Sequence, residues 1–235
     1  MWTCSECGRT FLNSHQWHSC IDLALEEKLE TATGRAVAMY RVVEAAVRRC
    51  GEFRIHPQKS RIAFISVMTF AGVRLANDWV DVSFIAPTPI DDEKIRSVTC
   101  YGPTSFAHTV RIADAADVDD RVCEWLCIAK RRGDQDTLDP QAMVEPVTGR
   151  VLDRLSVPVR AEVVTRAGRL VLKPPRYALD VFELQPALQA SVRGDVIDAT
   201  AEFSDGDGWI DCDPALEHVG LGEGDLVDVT LRAAL

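Results

Sequence analysis

Cys4, Cys7, His18 and Cys20 all fall within the first twenty residues of the chain. A segment that short cannot enclose a hydrophobic core, so its folding energy must come from elsewhere, and a bound metal ion is the natural source. Cys4 and Cys7 have the two-residue gap of a metal knuckle, in which the intervening amides turn toward a pair of thiolates. Gly8 follows directly, where a tight knuckle needs backbone freedom, and Phe11 can pack a miniature core. His15 and His18 compete for the third position, and Cys20 supplies the fourth. The expectation is one structural zinc ion with four protein ligands and no open position for water. Arg9 is the single Lys or Arg of this segment and no long helix accompanies it, so base reading by this segment is not expected.

Beyond the ligand cluster, apolar periodicity organises the chain. Asp22 is placed to cap a helix from Leu23 to about Thr31, with Glu26 and Glu27 near its positive end. Gly34 breaks it. A second helix is predicted over Arg35–Arg49. Val37, Tyr40, Val43 or Glu44, and Val47 recur there at helical spacing, and Gly51 stops it. The period then shortens to two. Strands are predicted over Glu52–His56, Arg61–Phe70, Trp79–Ala86, Ile95–Cys100 and Phe106–Ile112, with turns at Pro57–Ser60 and Asn77–Asp78. In the third strand, Val80, Val82 and Phe84 face away from Trp79, Asp81 and Ser83. A last helix is predicted over Val118–Arg132, with Val118, Val122, Trp125 and Leu126 on its apolar face. Short turns make neighbouring strands antiparallel, and the helices must cover one face of the sheet to bury it.

The fold class read from this pattern is α+β: a zinc knuckle at residues 1–22, a two-layer helix and antiparallel-sheet domain at 23–132, a linker at 133–156, and a small, mostly-β, barrel-like domain at 157–235. In the last domain Val157–Thr165, Gly168–Leu172, Val196–Phe203 and Leu226–Leu231 read as strands, Leu184–Ser191 as a helix, and Pro214–Val219 as a helical turn before a glycine-rich bend.

The net charge of −10 is uneven. Residues 1–132 hold 17 basic and 17 acidic residues, whereas residues 133–235 hold 9 and 19. The C-terminal part is therefore a poor partner for a phosphate backbone. The chain lacks an apolar run long enough to cross a bilayer and lacks the start of a signal peptide, so a cytoplasmic protein with no membrane partner is expected. Disulfides are not expected in that compartment. Cys50, Cys100, Cys123, Cys127 and Cys212 read mostly as small buried apolar residues. Cys123 and Cys127, one helical turn apart, have the spacing of a metal or redox pair, but core packing is the favoured reading.

Two polar groupings remain. Arg54, His56, Lys59 and Arg61 gather around the Pro57 turn, and Arg74 and Arg111 can join them if the sheet brings them close. Converging cations at a sheet end suit a phosphate or carboxylate, and the plainer reading is a charged strand edge that resists pairing. Trp79, Asp81 and Ser83 share a strand face, and His108 on a nearby strand can complete a polar cleft, in which an Asp–His pair can serve as a general base. Ser83 sits on no nucleophile turn. No nucleotide fingerprint or phosphate-cradling glycine loop is present.

The stretch "MWTCSECGRTF", with Gln16, His18 and Cys20, resembles the start of bacterial DUF5655-type domain proteins that carry a zinc-ribbon-like N-terminal segment. The likeness continues through "YRVVEAAVRRCGEFRIHPQKSRIAFISVMTFAGVRL", the Trp79–Val82 strand and His108 to the helix near Arg132. It implies a compact α/β domain and names Cys4, Cys7, His18 and Cys20 as the metal ligands, with His18 in preference to His15. It implies no reaction. The strand "VRAEVV" and the glycine-rich ending are similar to a DUF1905-like small β-barrel, a pattern from which Pro174–Ser191 departs.

Three functions follow, in this order. The first is a zinc-containing binding or scaffold protein without a catalytic site, whose partner is a protein or an anionic small molecule. The second is an anion-binding or nucleic-acid-associated protein using the Arg54–Arg61 patch, with nucleic acid not favoured. The third is a hydrolase or transferase using Asp81 and His108.

Overall fold

The computed structural model describes residues 2–3, 5, 10–11, 24–136, 147–182, 187–204 and 207–234. Its elements run β1 (Trp2–Thr3), β2 (Thr10–Phe11), α1 (Leu25–Glu30), α2 (Gly34–Arg48), β3 (Arg54–Pro57), β4 (Ile62–Ile65), β5 (Thr69–Leu75), β6 (Val80–Ala86), β7 (Ile95–Gly102), β8 (Ser105–Ile112), α3 (Asp120–Gly133), β9 (Leu155–Arg166), β10 (Arg169–Lys173), α4 (Arg176–Asp180), β11 (Leu188–Val192), β12 (Asp195–Ser204), β13 (Asp207–Cys212), α5 (Ala215–His218) and β14 (Leu226–Ala233). Two compact units result: Met1–Phe84 with Arg111–Asp136, and Ile85–Val110 with Thr137–Leu235. The architecture is mixed α+β, a helix and sheet region followed by a closed six-stranded barrel with extra strands.

In the first unit β3, β4, β5 and β6 form an antiparallel meander. Strand alternation sends Ile62, Phe64, Val73, Val80, Val82 and Phe84 to one face, where all are buried. The helices supply the other half of this core. Thr33 caps α2 by accepting from the Ala36 amide at 3.2 Å, and Ala36, Tyr40, Val43 and Val47 then line its buried stripe. Glu44 is also buried, with its charge matched by Arg41 and Arg48 one turn before and after it. Phe53 packs on Phe64 and Phe70 with ring centroids 4.9 and 6.0 Å apart, and Phe84 stacks on Trp125 of α3 at 5.9 Å.

The single strand expected over Arg61–Phe70 is instead two. The chain leaves β4 after Ile65 and re-enters as β5 at Thr69, with an irregularity in the register between Phe64 and Ile65. The cause is the C-terminal end of α3. The Gly133 carbonyl accepts from the amides of Val67 and Met68 at 3.2 and 3.1 Å, so those amides serve a helix terminus rather than a strand ladder. The close approach depends on glycine. A Cβ at position 133 would lie 2.6 Å from Phe70 Cβ and 2.7 Å from Ser66 Oγ.

A disulfide between Cys50 and Cys127 ties the end of α2 to α3. This corrects the reading of those cysteines as separate packing residues. Both helices must lie on the apolar face of one sheet, and that shared face brings the two sulfurs together. Cys100 and Cys212 are buried thiols, as expected.

In the second unit, β7 and β8 form an antiparallel hairpin, and β7 runs parallel to the start of β9. The order β9–β14–β11–β12–β13–β10 returns to β9, every pairing antiparallel. Closure leaves those six strands without a free edge. Leu155, Val157, Val159, Ala161 and Val163 alternate into the core along β9, as Val227, Val229 and Leu231 do along β14. The helix expected over Leu184–Ser191 is not formed at its described end. Leu188–Val192 is β11, with Leu188, Ala190 and Val192 buried, because the gap between β12 and β14 requires a strand. Residues 184–186 lie outside the described residues. Strand β13 carries no clear alternation in the sequence and is recruited by pairing with β12 and β10.

Helix propensity alone favours Ala over Gly at position 133 by about 1 kcal/mol. Overpacking against Phe70 and Ser66 outweighs it, so Gly133→Ala is expected to lower stability by about 2 kcal/mol in denaturant melts. A stabilised variant would show that the approach of α3 to the β4–β5 turn is looser than described.

Candidate functional site

Residues paired across neighbouring strands share a face of the sheet. The registers Arg54–Ile65, His56–Ala63, Ala63–Gly72, Gly72–Ser83 and Arg74–Asp81 therefore trace a single polar face, opposite the one covered by helices. Arg61 joins it from the turn before β4: a Cβ on Gly72 would meet its Cδ at 3.3 Å, so the absent side chain at 72 lets the Arg61 stem lie close to the sheet. Its Nε donates to Gln58 Oε1 at 2.9 Å. Arg54 is exposed and His56 half-buried. Lys59 is exposed in the turn, where its carbonyl accepts from Lys28 Nζ.

Asp81 is the centre of this face. Only 5% of its surface is exposed, and Arg111 Nε donates to its Oδ1 at 2.9 Å while Arg74 Nη2 donates to Oδ2. The Arg111 guanidinium also lies over the Trp79 ring, 4.0 Å from its centroid. Burial opposes ionisation of Asp81, but hydrogen bonds and charge from Arg111 and Arg74 outweigh it and hold the carboxyl below its usual range. Trp79 Nε1 is buried with no hydrogen-bond partner among the described residues. The sequence grouped Arg74 and Arg111 with the Arg54 patch. The structure places them on Asp81, where register sets Arg74 directly opposite the carboxylate.

His108 does something else. It belongs to the second unit, is wholly buried, and its Nε2 accepts from the Ile90 amide at 3.0 Å. Burial lowers its pKa to about 4, so the imidazole is neutral at ordinary pH. Both oxygens of Asp81 accept from arginines of the first unit, and the His108 ring accepts a backbone proton within the second.

The zinc-containing function, with a structural zinc as cofactor, is also corrected. Among the described residues no group of three or more His, Cys, Asp or Glu side chains is placed to hold a metal. Cys4, Cys7, His15, His18 and Cys20 lie outside the described residues. Cys127, which with Cys123 has the spacing of a metal or redox pair on α3, is bonded to Cys50.

All the residues of the polar face fall inside one recognisable segment. Residues 26–130 match the family described as Domain of unknown function (DUF5655). The DUF5655 match runs from α1 into α3 and leaves both the N-terminal ligand cluster and residues 157–235 outside it, so it supports neither the zinc-ribbon-like nor the DUF1905-like likeness. No curated protein and no solved structure matches the chain. No helix among the described residues is long and apolar enough to cross a membrane.

Asp81 and His108 separate by pH. Asp81 has a depressed pKa in the folded state, so its contribution is present above the unfolded carboxylate value and is lost as pH falls through the lower folded one. His108, held neutral, contributes fully above its unfolded value of 6.5 and loses that contribution as pH falls toward about 4. Unfolding free energy is expected to drop by about 2–3 kcal/mol between those limits through His108. His108→Gln should flatten that slope, whereas Asp81→Asn should lower stability without changing the slope above pH 5. A slope that survives His108→Gln would assign it to another group.

Proposed function

We propose that the first unit binds a small molecule bearing a phosphate or carboxylate on its polar sheet face, with Arg74 and Arg111 as the donors. The observation that carries this reading is the arrangement around Asp81. One buried carboxylate fixes two guanidinia side by side, and the Trp79 ring fixes the plane of Arg111. Each arginine uses one nitrogen on Asp81, and other N–H groups of both have no partner among the described residues. Arg74 is 60% exposed and Arg111 32% exposed along their side chains, so an anion in solution reaches both. A guanidinium presents its donors as a planar fork matched to carboxylate and phosphate oxygens. Holding it before the ligand arrives removes part of the ordering cost of binding.

Arg54 and Arg61 extend the same face and favour a ligand with more than one negative charge. The acidic excess beyond residue 133 favours a small anion over a long phosphate backbone. The reading is binding rather than catalysis because Asp81 is engaged by two cations, which leaves it a weak base.

Calorimetric titration of the full chain with pyrophosphate, citrate and a mixed-sequence single-stranded oligonucleotide tests this. Pyrophosphate or citrate is expected to bind saturably, and Arg74→Ala, which leaves Asp81 its Arg111 partner, to weaken that binding by about tenfold. Equal affinity in the variant would overturn the role of Arg74. Oligonucleotide binding with a steep salt dependence, and none to the small anions, would replace the reading with nucleic-acid binding.

A further inference from the structure

Three cysteines meet where α2 ends against α3. Cys50 follows the helix end at Arg49 and is bonded to Cys127, with 5.0 Å between their Cα atoms. Cys123 lies one turn before Cys127 on α3, so the two side chains occupy the same helix face, about 6 Å apart. The Cys50 sulfur also lies 4.0 Å from the Cys123 carbonyl oxygen, against the turn that joins the two helical cysteines. The third sulfur is a thiol, not part of the bond. Arg49, next to Cys50 in the chain, places Nη2 2.9 Å from Cys123 Sγ. All three cysteines are half-buried and Arg49 is exposed, so the cluster opens to solvent.

We propose that Cys50, Cys123 and Cys127 form a thiol–disulfide exchange centre that passes electrons to and from external dithiols, with Cys50 alternating between the two helical cysteines. A thiolate is the nucleophile in such exchange, and a cation at hydrogen-bond distance holds that thiolate once it forms. Within the protein the step is an isomerisation. Cys123 loses its proton to solvent and its sulfur attacks Cys50 Sγ. The Cys50–Cys127 bond breaks, Cys127 leaves as a thiolate and takes up a proton, and a Cys50–Cys123 bond stands in its place. No net oxidation occurs. With an external dithiol, one reagent thiolate attacks the protein disulfide to give a mixed disulfide. The second reagent thiol then displaces the protein sulfur. The protein gains two thiols and the reagent becomes its cyclic disulfide.

The remaining described thiols contrast with this arrangement. Cys100 and Cys212 are 0% and 2% exposed, and burial raises the pKa of both, that of Cys212 to about 12. Neither is disulfide-bonded. The centre is separate from the anion-binding face, and neither reading depends on the other.

The test is disulfide mapping by mass spectrometry on the full chain, equilibrated in a glutathione buffer and quenched by alkylation. The native chain is expected to yield both Cys50–Cys127 and Cys50–Cys123 linked peptides. Cys127→Ser is expected to yield Cys50–Cys123, with Cys100 and Cys212 recovered as thiols. Absence of the Cys50–Cys123 linkage from both proteins overturns the proposal, and the native-chain result decides the matter if the variant does not fold. Arg49→Ala is expected to slow alkylation of Cys123 in the native fold by about two- to threefold, as an exposed charge contact allows. An unchanged rate overturns the role given to Arg49.

Discussion

A carboxylate with 5% of its surface exposed has to be paired, and the pairing of Asp81 with Arg74 and Arg111 sets the character of the whole polar face. Without those cations the charge would be stranded on a strand whose alternate residues, Val80, Val82 and Phe84, are locked into the core. The alternation of β6 thus does two things at once. It drives three apolar side chains under the helices and forces Trp79, Asp81 and Ser83 to the other side. The arginines that neutralise Asp81 become, for the same reason, the fixed donors of that side. The net result is positive, since Arg54 and Arg61 share the face as well.

The apolar side of the same sheet depends on α2 and α3 being held close. Tyr40 of α2 packs on Phe64, Trp125 of α3 stacks on Phe84, and Gly133 allows α3 to end directly against Phe70. The Cys50–Cys127 bond closes a sequence separation of 77 residues, a long loop whose closure restricts the unfolded chain by about 4 kcal/mol in the chain-entropy picture. Sulfur chemistry at that bond therefore acts on the mutual anchoring of the two helices, on the side of the sheet away from the arginines. The barrel of the second unit needs no such tie, because closure satisfies the edges of its strands.

How much of this could be read in advance depends on the range of the interactions. The extent of α2, the Asn77–Asp78 turn and the split of β6 into an apolar and a polar side follow from neighbours one to four residues apart, and the sequence shows them. That Arg54 and His56 share one strand face, and Trp79, Asp81 and Ser83 another, was legible for the same reason; that register joins the two groupings on one side of one sheet was not. The partners that Asp81 and His108 take were not legible, because they depend on residues distant in the chain. Register placed Arg74 opposite Asp81, and burial made His108 a neutral acceptor for a backbone amide. The zinc reading rested on ligand spacing at positions that lie outside the described residues, and among the described residues no group of metal ligands converges.

The sequence by itself determined the α+β class, the two faces of the central strands and the barrel-like alternation of β9 and β14, because each is a matter of period along a short stretch of chain. Tertiary structure decided where Arg61–Phe70 breaks, that Leu188–Val192 is a strand, and that Cys50 joins Cys127. It also decided that Arg74 and Arg111 belong to Asp81. Each of these turns on groups far apart in the chain: a helix terminus offering its carbonyl to strand amides, a barrel gap requiring a partner, two helices sharing one apolar face. Local periodicity carries no information about such meetings, since the free energy that selects them exists only once the distant surfaces have packed.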